Sequence, residues 1–137
     1  MSEKSDLQDA WERSPGYVYF MAAGNPCVAI KIGITKQSTL RQRLGSLQGS
    51  NHEPLTLLGV IPFAEGKHPM KDAQRREREL HGLFAHLQRF EKGWVGSEWF
   101  TPAPDLRSFI AENAAAPKTL GLVESIARHG PGLKVPA

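Results

Sequence analysis

At 137 residues and 15.1 kDa the chain has the length of one ordinary domain, and its 40% hydrophobic and 23% charged composition excludes global disorder and fibrous repeats. A single cysteine, Cys27, excludes an internal disulfide framework and any multi-cysteine zinc site. No apolar run reaches the roughly 18 residues of a membrane span, and the charged start MSEKSDLQDAWER is unlike a signal peptide, so a cytoplasmic chain with no membrane partner is expected.

Residues 1–15 read as an acidic extension, with Glu3, Asp6, Asp9 and Glu12 against Lys4 in its first twelve positions. The next forty residues, 13–52, contain Arg13, Lys31, Lys36, Arg41 and Arg43 and no acid. The net charge of +3 is therefore concentrated in one window, either as a phosphate-facing surface or as solvated side chains. Within it, YVYFMA and CVAIKIGIT around a Gly24-Asn25-Pro26 turn predict a hairpin over 17–35. Leu40, Leu44 and Leu47 predict a short helix over 39–48, and the apolar run LTLLGVIPF predicts a third strand, over 55–63, buried on both faces.

The segment 68–89 carries a stripe of Met70, Ala73, Glu77, Leu80, Phe84 and Leu87 at alternating steps of three and four, apolar but for Glu77, which predicts a helix packed on the sheet. The Gly-rich KGWVGSEWF ends in a short strand or turn, a further helix is expected over 102–115, and 117–137 reads as a loosely docked Pro/Gly-containing tail. The main folded unit is thus 16–116.

Three placements break the pattern. Glu77 lies within the apolar stripe, whereas Glu79 is rotated about 200° away onto the solvated face. A carboxylate facing the core needs a cation, a metal or a hydrogen-bond network to offset several kcal/mol of desolvation, or else it sits at the stripe's edge paired with a structural arginine. His81, one turn on, either donates to that carboxylate or packs as a helix-end histidine. In the hairpin, alternation puts Tyr17, Tyr19 and Met21 on one face and leaves Lys31, Gly33 and Thr35 opposite the apolar face of Val28, Ile30, Ile32 and Ile34. Phenols and an ammonium beside a glycine suit a phosphate, and they equally suit an aromatic cross-strand cluster with Lys31 extended along it. On the short helix Arg43 borders the leucine stripe and Arg41 is rotated outward, so Arg43 is the better phosphate candidate.

The ordered blocks Tyr-Val-Tyr, Lys-Ile-Gly-Ile-Thr, Arg-Leu, Glu-x-x-Leu-His and Glu-Trp-Phe, spanning about Gly16 to Thr101, resemble the GIY-YIG nuclease superfamily. The resemblance implies an α+β domain with a small antiparallel three-stranded sheet flanked by helices, and hydrolysis of a DNA phosphodiester with one Mg²⁺ or Mn²⁺ ion. It implies catalytic roles for Tyr19, with Tyr17 nearby, Lys31 in place of the second motif's tyrosine, Arg43, Glu77 as the metal carboxylate, and His81. Lys31, Gly33, Lys36, Arg41 and Arg43 are the expected nucleic-acid contacts. In that scheme a tyrosine orients or deprotonates water, and a phenol of ordinary pKa about 10 needs a nearby cation such as Lys31 to serve as a base near neutrality. Where some branches carry an asparagine after the metal helix, this chain offers Arg89 or Glu98; Trp99 and Phe100 read as core. The sequence thus predicts a metal-dependent DNA endonuclease. The alternatives are a catalytically weak nucleic-acid-binding module or a structural partner protein. Target choice would come from the small domain itself, a homodimer or a partner protein.

Overall fold

Gly24 adopts a φ of 91°, a left-handed conformation that side chains other than glycine's resist, and there the chain reverses between two eight-residue strands. These are β1 (Gly16–Ala23) and β2 (Ala29–Lys36), paired antiparallel with Tyr17 opposite Thr35, Tyr19 opposite Gly33 and Met21 opposite Lys31. Residues 5–89 and 98–122 are described in this computed structural model; the glycine-rich stretch before Glu98 and the tail beyond Leu122 lie outside them. A helix α1 (Asp6–Arg13) precedes the hairpin, and α2 (Leu40–Gly49), β3 (Leu55–Phe63), α3 (Pro69–Leu83), β4 (Trp99–Phe100) and α4 (Pro104–Asn113) follow it.

The class is α+β, as expected, but the sheet has four antiparallel strands in the order β3-β1-β2-β4. The three-stranded expectation is corrected by β4, whose two residues pair Trp99 with Lys31 and Phe100 with Ile30. Two residues are too few for alternation to register in a sequence. The third strand is corrected as well: β3 is an edge strand, with Thr56 and Pro62 exposed rather than buried on both faces. An edge is where a proline, lacking its N–H, does not interrupt a ladder.

β1 is buried along its whole length and divides the core in two. On one face Val18, Phe20, Ile30 and Ile32 pack against Ala73 and Leu80 of α3, Phe84 just past its end, and Leu106 and Ile110 of α4. On the other Tyr17, Tyr19 and Met21 pack with Leu40 and Leu44 of α2 and Leu55 and Leu57 of β3. Helix α3 ends earlier than its stripe suggested, because the chain tightens into a 3-10 turn at Ala85–Leu87. The acidic extension is not a featureless arm: α1 docks on α3. At the other end Pro117 is buried in a 3-10 turn, Pro117–Leu120, and Leu122 packs on the tyrosine-bearing cluster. Among the described residues no helix is long and apolar enough to cross a membrane.

Candidate functional site

Among the described residues the outer edge of β2 is paired only at its start. β4 covers Ile30 and Lys31, the Ile32 N–H donates to the Glu98 carbonyl at 3.2 Å, and His81 Nε2 lies 2.9 Å from the Ile32 carbonyl. Since a carbonyl only accepts, His81 donates through Nε2, and this fixes its tautomer. Its ring also meets Phe100 edge-on, with centroids 5.1 Å apart. His81 thus latches α3 to β2 one helical turn beyond Glu77.

Where β4 ends, a pocket of about 210 Å³ opens between β2, α2 and α3. Its lining brings together Tyr19, Lys31, Gly33, Arg43 and Glu77, joined by Ile34, Leu47 and Glu98. Five of the sequence-selected residues, drawn from β1, β2, α2 and α3, therefore converge. Tyr17 is buried in the core beside Leu40 and Leu44, Lys36 lines an adjacent groove, Arg41 is exposed on α2 and lines neither, and His81 stands behind the pocket wall.

Tyr19 is 1% exposed and lies directly opposite Gly33. A Cβ at position 33 would stand 2.5 Å from the phenol oxygen and 2.6 Å from Cζ, so only glycine lets the ring cross from β1 over β2 into the pocket. Burial pushes the Tyr19 phenol well above its ordinary pKa; Arg43 draws it back, and Glu98 and Glu77 push it up further. The cation acting on the phenol is thus Arg43, not the Lys31 of the sequence expectation. Lys31 is otherwise engaged. It is 5% exposed, pairs with the Glu98 carboxylate and lies 6.0 Å from the Trp99 ring centroid. A buried ammonium without such a partner would cost several kcal/mol.

Glu77 is half-buried while Glu79 is exposed and bonded to Arg76, as the helix geometry predicted. Burial raises the Glu77 pKa, His81 opposes that rise, Glu98 adds to it, and Lys31 and Arg78 oppose it. Among the described residues its carboxylate has no hydrogen-bond or ion-pair partner, although it faces a pocket containing Lys31 and Arg43. A desolvated, unpartnered carboxylate with a second one, Glu98, nearby is a fitting donor set for a hard divalent cation that completes its shell with water and phosphate oxygens. No cluster of three or more metal-binding side chains occurs among the described residues.

Sequence reasoning named Glu98 only as a substitute for an absent asparagine. Its pairing with Lys31 links residues 67 apart and has no local signature. Arg89, the other candidate, instead donates to the Val28 carbonyl at 2.7 Å. Phe100 is fully buried and Trp99 half-buried against the tyrosine-bearing cluster, both as core.

The T5orf172 domain model matches residues 16–114, so the chain belongs to that family, which is associated with nuclease-type and DNA-binding functions. This corrects the GIY-YIG assignment. Five short blocks cover only scattered residues of strands and helices, whereas a match running from β1 to the end of α4 decides the family. No curated protein and no solved structure matches the chain significantly.

Proposed function

We propose that this T5orf172-domain protein is a metal-dependent DNA endonuclease whose chemistry is carried by the pocket of Tyr19, Lys31, Arg43 and Glu77. The observation that supports the reading is a Glu77 carboxylate that has no hydrogen-bond or ion-pair partner among the described residues and faces two cationic side chains in a partly desolvated pocket. With Glu98 paired to Lys31, Glu77 and Arg43 are left to take a cation and an anion respectively, as a divalent ion with a phosphodiester would supply.

Each residue then has a task. The Arg43 guanidinium, exposed at the pocket mouth, is free to hold two phosphate oxygens and stabilise the charge that grows on them. The Tyr19 phenol, kept protonated by burial, donates a hydrogen bond to a phosphate oxygen or to the attacking water and so orients rather than deprotonates it. Glu77, with Glu98 beside it, would hold Mg²⁺ or Mn²⁺, which supplies Lewis-acid stabilisation of phosphate oxygens. Lys31 fixes Glu98 and adds positive potential at the pocket floor.

Supercoiled plasmid and single-stranded DNA incubated with Mg²⁺ or Mn²⁺ test the reading. Wild type should cut, chelation should stop cutting, Glu77→Gln should lose on the order of a hundredfold or more, and Tyr19→Phe should lose about tenfold to a hundredfold. No cutting with either ion, or equal cutting by Glu77→Gln, overturns it. One feature favours a second reading, a nucleic-acid-binding module without cleavage: with Tyr19 held protonated and Lys31 paired, neither is poised to take a proton from water. That reading expects salt-sensitive DNA binding, weakened in Arg43→Ala, and no products.

A further inference from the structure

Arg43 and Ile34 line a second cavity as well as the pocket, a groove of about 390 Å³ that runs from the pocket mouth toward α1. Its volume falls within the roughly 300–1,000 Å³ of small-molecule sites. Lys36, Thr39, Gln42 and Ser46 line it together with Arg43, and no Asp or Glu contributes to its wall. At the α1 side stands the indole of Trp11. Trp11 is half-buried and belongs to neither core cluster, and its indole N–H has no hydrogen-bond partner among the described residues. It therefore presents an unused aromatic surface and an unused donor in an acid-free groove that shares its arginine with the pocket. Trp11 also precedes the matched span 16–114, so the groove is completed by a residue outside the family domain.

We propose that this groove is a subsite for one unpaired nucleotide next to the phosphate held by Arg43, with the base stacked on Trp11 and its sugar and phosphate met by Thr39, Gln42 and Lys36. The substrate strand would then be single-stranded or locally unpaired DNA, because a base within a duplex has no face free for the indole. This rests on the reading that the pocket takes a phosphodiester. Hydroxyls, an amide and two cations are the chemistry that sugar and phosphate require, and the absence of acids removes the repulsion that would exclude a polyanion.

The test is equilibrium binding, without divalent ions so that nothing is cut, of a fluorescein-labelled mixed-sequence single strand and of its duplex, read by anisotropy. Stacking on an aromatic side chain is worth about 1–3 kcal/mol per base, so Trp11→Ala should weaken single-strand binding by about fivefold to 150-fold and duplex binding by less than twofold. Trp11→Phe should recover most of the affinity. Gln42→Glu, which leaves Trp11 and its packing intact and adds one negative charge to the groove, should weaken single-strand binding severalfold. Unchanged single-strand binding in Trp11→Ala, equal weakening for both DNAs, or wild-type binding by Gln42→Glu overturns the subsite. Single-strand binding that depends on Trp11 in a protein that cuts nothing supports the subsite while removing the hydrolytic reading. Cleavage of single strands with unchanged KM in Trp11→Ala removes the subsite alone.

Discussion

At the scale of single residues, Glu77 and Tyr19 show how burial prepares groups that solution chemistry would not. A carboxylate whose pKa is raised in the folded state contributes its full stability below its unfolded value, near 4.5, and loses it as pH rises through the folded value. In that interval the native state binds more protons than the unfolded one, so stability falls with increasing pH. Glu77→Gln cannot ionise and should escape this loss. Thermal melts without divalent ions should show the variant more stable than wild type at pH 7.5 and the gap closing toward pH 4, and a constant gap across that range would refute the assignment. Added Mg²⁺ should raise the wild-type midpoint at pH 7.5 and leave the variant's in place, since cation binding favours the ionised carboxylate. The choice of Glu77 over Glu79 was legible in the sequence because a helix rotates by a fixed angle per residue. The upward shift of the Tyr19 pKa was not, because it depends on burial of the ring and on charges from α2, α3 and the turn before β4.

At the scale of elements, the position of Glu77 depends on the latch between α3 and the outer edge of β2. His81 serves an otherwise open carbonyl on a fully buried residue, Ile32, just past the point where β4 stops. Removing it leaves that acceptor unmet, which costs about 1–3 kcal/mol. His81→Ala should show that loss in urea unfolding, with reduced cleavage and single-strand affinity within twofold of wild type; unchanged stability would show that the latch carries no weight. The hairpin and the helices were legible through their period-2 and period-3.6 patterns. The short strand at the end of KGWVGSEWF was expected, but its place as a fourth strand beside β2 was not legible, since that pairing is non-local and only two residues long. Helix α1 was announced by a signal that the acidic composition hid. Ser5-Asp6-Leu7-Gln8 is a capping sequence, and the Ser5 Oγ accepts from the Gln8 N–H at 3.0 Å while Asp6 and Asp9 sit in the first turn, where negative charge is favoured. A run of acids at a chain start reads as solvated until its cap is noticed.

At the scale of the whole molecule, charge is sorted in space as well as along the chain. The acid-free window supplies β2 and α2, whose cations line the pocket and groove, and the acidic α1 lies across α3. Each phosphate contact on a single strand steepens the log–log dependence of affinity on salt by about 0.7. Arg43→Ala should therefore flatten that slope by about this amount and Arg41→Ala, on the outward side of α2, by less; equal effects would mean that the cations act as a diffuse cloud rather than from their places in the wall. Beyond Ile32 the outer edge of β2 has no strand partner among the described residues. Such a margin is a template for another copy's strand, and proteins commonly guard it with lysine or by occupying its carbonyls. Here His81 occupies one and Lys36 stands at the far end. Under the proposed function Lys36 would thus both meet DNA and hinder self-assembly through this edge, so a variant lacking it should lose colloidal stability along with affinity.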